Sequence, residues 1–145
     1  MNRIFVAAAA LAIFPLVARA DDSPYSGNAQ VRTVLDTWNN VDYQTLSWPH
    51  KFLAKATILE INIPPGGETG WNTHPVPLFG YVISGTLTIY FADGTKKSFG
   101  PGEGFAQAVN VAHDGHNDGA VPLKYVVFIA GERGVEYTQK VPAPE

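Results

Sequence analysis

The chain has 145 residues, with 10 basic and 13 acidic side chains, a formal net charge of −3 and no cysteine. This balance argues against nucleic acid as a partner, and the lack of cysteine excludes disulfides, thiolate metal sites and lipid attachment to an N-terminal cysteine. A chain of this length builds one hydrophobic core rather than two.

Taken in order, Arg3, the apolar run from Ile4 to Val17 and then Ala18-Arg19-Ala20 have the layout of an export signal. The run is too short to span a bilayer, and small-x-small is the pattern that signal peptidase accepts. Residues 1–20 are therefore expected to be removed, leaving a soluble periplasmic or secreted chain with no membrane anchor. Loss of Arg3 and Arg19, with no acidic residue beside them, takes the formal charge from −3 to −5. Residues 21–30 are polar, contain Gly, Pro and Ser, and read as a mobile mature N-terminus.

From Val31 onward no amphipathic helix is legible, and residues 31–140 read as one all-β domain. Short β-branched and aromatic runs alternate with turn residues, the pattern of a sandwich or barrel. Ala56 to Ile63 is expected to be a strand ending at Pro64-Pro65-Gly66-Gly67. Leu78 to Ile83 turns at Ser84-Gly85 into Thr86 to Phe91, and Ala92-Asp93-Gly94 leads into Lys96 to Phe99. Gly100-Pro101-Gly102 closes that piece, Gly104 to Val109 resumes a strand, and Leu123 to Ala130 reads as a long buried one. The tail, residues 141–145, carries two prolines and is expected outside the sheet.

Two runs of residues keep a fixed spacing. Gly66 is followed, after five residues, by Asn72-Thr73-His74, then by Leu78 and Gly85. Further on stand Gly102, Ala108, Asn110, His113 and Asn117. This is the register of the two motifs of the cupin superfamily (RmlC-like, type 2), and the stretch from Gly66 to Asn117 resembles it. The segments Pro64 to Gly67, His74 to Pro77 and Gly80 to Val82 are similar to a subgroup of small exported bacterial cupins. The resemblance implies a small antiparallel jelly-roll β-barrel and a homodimer. It also implies a site for one divalent metal, Fe, Mn, Zn, Ni or Cu, or no cofactor where the ligands are lost.

The motif has a physical basis, because residues at i and i+2 on a strand point to one face and a third ligand can come from a distant strand. In this chain Asn72 stands where the family has its first histidine, and Leu78 where it has a glutamate. His74 and His113 remain as good ligands, with Asn72 and Gln107 as candidate neutral oxygens. Trp71, Leu78, Phe79, Tyr81, Asn110 and Asn117 are candidate pocket residues. Phe79 and Tyr81 share one face of their strand and Leu78, Gly80 and Val82 the other; the Pro75 to Pro77 kink leaves open which set lines the cavity.

Outside this set, His116 falls on the face opposite His113 and reads as a surface histidine. His50 has no visible partner, Glu68 and Glu103 read as solvated turn residues, and Asp114 points away from His113. Three functions stay open: an exported metal-dependent cupin, either an enzyme on a small molecule or a metal holder; a metal-free small-molecule-binding barrel; and a metal-free isomerase or cyclase using His74 or His113 beside an acid such as Tyr81.

Overall fold

A computed structural model describes residues 33–48 and 53–145. The expected export signal, the mature N-terminus over residues 21–30, and His50 lie outside the described residues. The described residues contain nine strands and no helix: β1 (Ala54–Ile63), β2 (Asn72–Thr73), β3 (Leu78–Ser84), β4 (Leu87–Phe91), β5 (Lys96–Phe99), β6 (Gly104–Ala106), β7 (His113–His116), β8 (Leu123–Glu132) and β9 (Gln139–Lys140).

The strands form two antiparallel sheets, in the orders β1-β8-β3-β6 and β5-β4-β7-β2-β9, an all-β arrangement consistent with a jelly roll. The long β1–β8 ladder runs unbroken from Ala54 opposite Glu132 to Ile63 opposite Leu123. Along β8 the odd-numbered residues from Leu123 to Ile129 are buried, while Phe128 is exposed. That period of two is expected of a strand with one face on a core. One core joins both sheets: Ile63, Leu78, Val82 and Val127 from the first pack with Leu87, Ile89 and Phe91 from the second.

Two glycines are needed where they stand. At Gly80 on β3 a Cβ would come within 2.1 Å of the Phe105 ring, so the far edge of that ring, from β6, occupies the space a side chain would fill. At Gly85 φ is +74° and a Cβ would meet the Leu123 backbone at 2.7 Å, so only glycine takes this turn without strain.

Gly104 to Val109 pairs only as far as Ala106, and β7 appears at a stretch the sequence pattern left unassigned. A four-residue strand reading His-Asp-Gly-His has little intrinsic β-preference. It is held by its neighbours, β4 on one side and β2 on the other.

Candidate functional site

A cavity of about 480 Å³ lies between the sheets, within the size range of small-molecule sites. Its apolar wall comes from both sheets: Leu59 and Ile61 on β1, Leu87 and Ile89 on β4, Val127 and Ile129 on β8. Asn72, His74, Gln107 and His113 add polar groups to the same lining.

Three of these polar residues meet. Asn72 and His113 are opposite one another in the β2–β7 pair, and the rings of His74 and His113 lie 4.9 Å apart between centroids at 50°. Nδ1 of His74 is 2.9 Å from the Tyr137 carbonyl oxygen and 3.1 Å from the Thr138 hydroxyl. Nδ1 of His113 is 2.8 Å from the Val111 carbonyl oxygen. A carbonyl can only accept, so each Nδ1 carries the proton and each Nε2 is left with a lone pair. Neither Nε2 has a hydrogen-bond partner among the described residues. Burial lowers the pKa of His74 to about 4, with His113 beside it pushing the same way. Burial lowers that of His113 as well. Both rings are thus neutral near pH 7.

The Asn72 amide is fixed by its surroundings. Its Nδ2 donates to the Gly70 carbonyl at 2.8 Å and to the Thr69 hydroxyl at 3.4 Å. Gly70 O has no proton to offer, so the amide cannot be reversed, and Oδ1 is left buried with no partner. An unmet buried acceptor costs about 1–3 kcal/mol. A cation or donor from a bound group would relieve that cost.

The other candidates separate. Gln107 lines the cavity, but its Oε1 accepts the Ala108 N–H at 2.9 Å. The group it has free is its Nε2 donor, which cannot ligate a cation. Trp71 and Leu78 line the cavity, which resolves the face of β3: Leu78, Gly80 and Val82 are buried while Phe79 and Tyr81 lie on the opposite, half-buried face. Phe79 packs instead against Trp48, with ring centroids 5.7 Å apart. Asn110 is exposed at φ +58°, and its backbone N–H holds the His74 carbonyl at 2.8 Å. Asn117 is a loop clamp outside the cavity: Nδ2 donates to the carbonyls of Ile63 and Val121, and Oδ1 accepts from Gly119 N–H. With Tyr81 on the outer face, no tyrosine–histidine acid–base pair forms through it. The tyrosines lining the cavity are Tyr125 and Tyr137, and burial pushes the Tyr125 hydroxyl up to about 12.

Sequence reasoning missed Tyr137 and Thr138, which orient His74 from 63 and 64 residues away. No motif marks them. It also passed over Thr69, whose role depends on contacts with residues of β2 and β7.

The resemblance to the cupin family implies a divalent metal among these donors. Two neutral imidazole nitrogens and one unmet amide oxygen fit a divalent transition-metal ion, while Leu78 supplies an apolar wall where a carboxylate would have added charge.

Comparison with known proteins agrees with the architecture. Residues 59–129 match the family model described as the cupin domain. Among solved structures, the polyketide cyclase RemF from Streptomyces resistomycificus aligns with TM-score 0.52 at 22% identity, over 62% of this chain and 63% of that one. The DMSP lyase DddQ from Ruegeria pomeroyi DSS-3 aligns with TM-score 0.52 at 14% identity, over 61% of this chain and 44% of that one. An oxalate decarboxylase from Bacillus subtilis, studied for its Mn(II) centres, gives 0.50 at 19% identity, over 59% of this chain and 24% of that one. The chain thus spans less than half the length of the last two. At these identities the likeness is one of fold. No curated protein matches the sequence. Family model and fold together show that this chain carries a small cupin domain over residues 59–129.

Proposed function

We propose that this chain is a small-molecule-binding cupin in which His74, His113 and Asn72 hold one divalent metal ion at the wall of the cavity. The observation that carries the reading is the unmet Asn72 Oδ1 beside two imidazoles whose Nε2 lone pairs are also free. All three donors are neutral, so a bound ion keeps its full charge toward a ligand; its chemistry there would be that of a Lewis acid with open positions. The protein's own contribution is orientation. Tyr137 and Val111 carbonyls fix the two tautomers, Gly70 and Thr69 fix the amide, and Leu59, Ile61, Val127 and Ile129 make the rest of the wall apolar. That a lyase, a cyclase and a Mn(II) decarboxylase share the fold supports a small organic ligand. Export of the chain, read from residues 1–20, belongs to the same proposal.

The test is metal content by elemental analysis of the untagged protein after incubation with Fe(II), Mn(II), Zn(II), Ni(II) and Cu(II), beside His74→Ala, His113→Ala and Asn72→Ala. One equivalent should be lost in both histidine variants and bound more weakly in the asparagine variant. Equal metal in wild type and histidine variants rejects the reading.

A second reading is favoured by Leu78, which lines the cavity where a ligating carboxylate would stand. Here no metal binds, and the two Nε2 atoms and Asn72 Oδ1 accept hydrogen bonds from a ligand's hydroxyl or amino groups. A metal-free protein whose His74 and His113 Nε2 resonances move on adding a hydroxylated ligand would select it.

A further inference from the structure

On the outer face of the second sheet, the strand that sends His113 into the cavity sends Asp114 and His116 the other way. There they meet Glu68 from the loop before β2, which bridges to His116 through its backbone. Nε2 of His116 lies 3.2 Å from Asp114 Oδ2 and 3.6 Å from Glu68 Oε2. The three ligand atoms all fall within 4.8 Å of one another. Asp118 adds a third carboxylate, 4.0 Å from Nδ1 of His116. It is itself held by the Tyr90 hydroxyl at 2.8 Å.

Asp114 is the unusual member. Its side chain is 2% exposed, and a carboxylate is rarely buried to that degree without a counter-charge. Oδ1 accepts the Thr69 hydroxyl at 3.0 Å. Oδ2 is paired with Nε2 of His116 at 3.2 Å and lies on the side of Glu68. No Lys or Arg pairs with Glu68, Asp114 or Asp118 among the described residues. One imidazole cannot balance the three carboxylates of Glu68, Asp114 and Asp118, so the cluster carries excess negative charge.

We propose that Glu68, Asp114 and His116 form a second divalent-metal site, on the outer wall of the barrel and separate from the cavity. One imidazole and two carboxylates suit Mn(II), Fe(II) or Zn(II). The ion supplies positive charge to a carboxylate cluster that no Lys or Arg pairs with among the described residues, and Glu68, exposed at the rim, closes over it from solution. Asp114 and His116 leave β7 on the opposite face from His113, and the Thr69 hydroxyl, which donates to Asp114 and accepts from Asn72, links the two sites.

The experiment is a four-way comparison in the full chain, using Mn(II) and Zn(II) as probes on chelator-treated protein. Stoichiometry is read by calorimetry for both ions, and by the loss of the free Mn(II) resonance for manganese. The variants are the double His74→Ala/His113→Ala, the double Glu68→Gln/His116→Gln, and their combination. Glutamine keeps size and polarity at the exposed positions, and circular dichroism confirms that each variant is folded. If both sites are real, the wild type binds two equivalents, each double variant one, and the combination none. If the cavity holds no metal, the wild type and the His74→Ala/His113→Ala chain each bind one, and the Glu68→Gln/His116→Gln chain none. This proposal is overturned if Glu68→Gln/His116→Gln binds both ions with the wild-type stoichiometry and affinity within threefold. It is equally overturned if the His74→Ala/His113→Ala chain binds neither.

Discussion

Acidification offers a direct test of the two buried imidazoles. The pKa of His74 is lowered from 6.5 to about 4, chiefly by burial. The unfolded chain therefore takes up a proton as pH falls below about 6.5, whereas the folded chain resists until about 4. Stability from this group is complete above the unfolded value and is lost progressively as pH drops through that window. The loss for His74 alone between pH 7 and pH 4.5 is then about 2 kcal/mol. His113, shifted in the same direction by its own burial, adds to it. The assay is urea unfolding of chelator-treated protein at the two pH values, for wild type and for His74→Gln, which keeps polarity without titrating. Carboxylates contribute equally to both chains, so the difference between the two pH dependences isolates His74. A wild-type loss no larger than that of the glutamine variant would refute the claim that His74 is buried and neutral.

Three further outcomes follow from particular contacts. Gly80→Ala drives a Cβ into the Phe105 ring and should lower stability by about 2 kcal/mol or more, the cost of overpacking a filled core, seen as a lower urea midpoint with unchanged slope. Asn117→Ala removes three hydrogen bonds tying the Ile63, Val121 and Gly119 backbones together. It should cost about 2 kcal/mol, because the freed Ile63 carbonyl stays buried while Val121 lies at the surface, and thermal unfolding measures it. Leu78→Glu places a carboxylate in the cavity wall. It should raise divalent-metal affinity at least tenfold by calorimetry while lowering the stability of the metal-free chain, since the charge is then buried unpaired. Unchanged affinity would separate Leu78 from the proposed ion.

Much of this protein is written locally. The short β-branched and aromatic runs, the glycine turns and the spacing from Gly66 to Asn117 depend on neighbours in the chain, and they point to an all-β cupin fold without any tertiary contact. The face of β3 did not follow, because two prolines break the parity between His74 and Leu78. Only packing of Phe105 over Gly80 puts Leu78 inward and Phe79 and Tyr81 outward. Gln107 and Asn72 carry the same amide chemistry in sequence. Their different roles arise because the Ala108 N–H takes the oxygen of one, while the Gly70 carbonyl takes the nitrogen of the other. His116 and Glu68 appeared as ordinary surface residues, since nothing between positions 68 and 114 reveals that a loop will lie beside β7.

The sequence by itself determined the strand pattern, the family register and the loss of two of the family's four ligands, because each is a matter of residue type and spacing. Tertiary structure alone decided which lone pairs are free and which carboxylate is buried. Hydrogen bonding and desolvation depend on partners 45 to 63 residues away in the chain, and such partners leave no local trace.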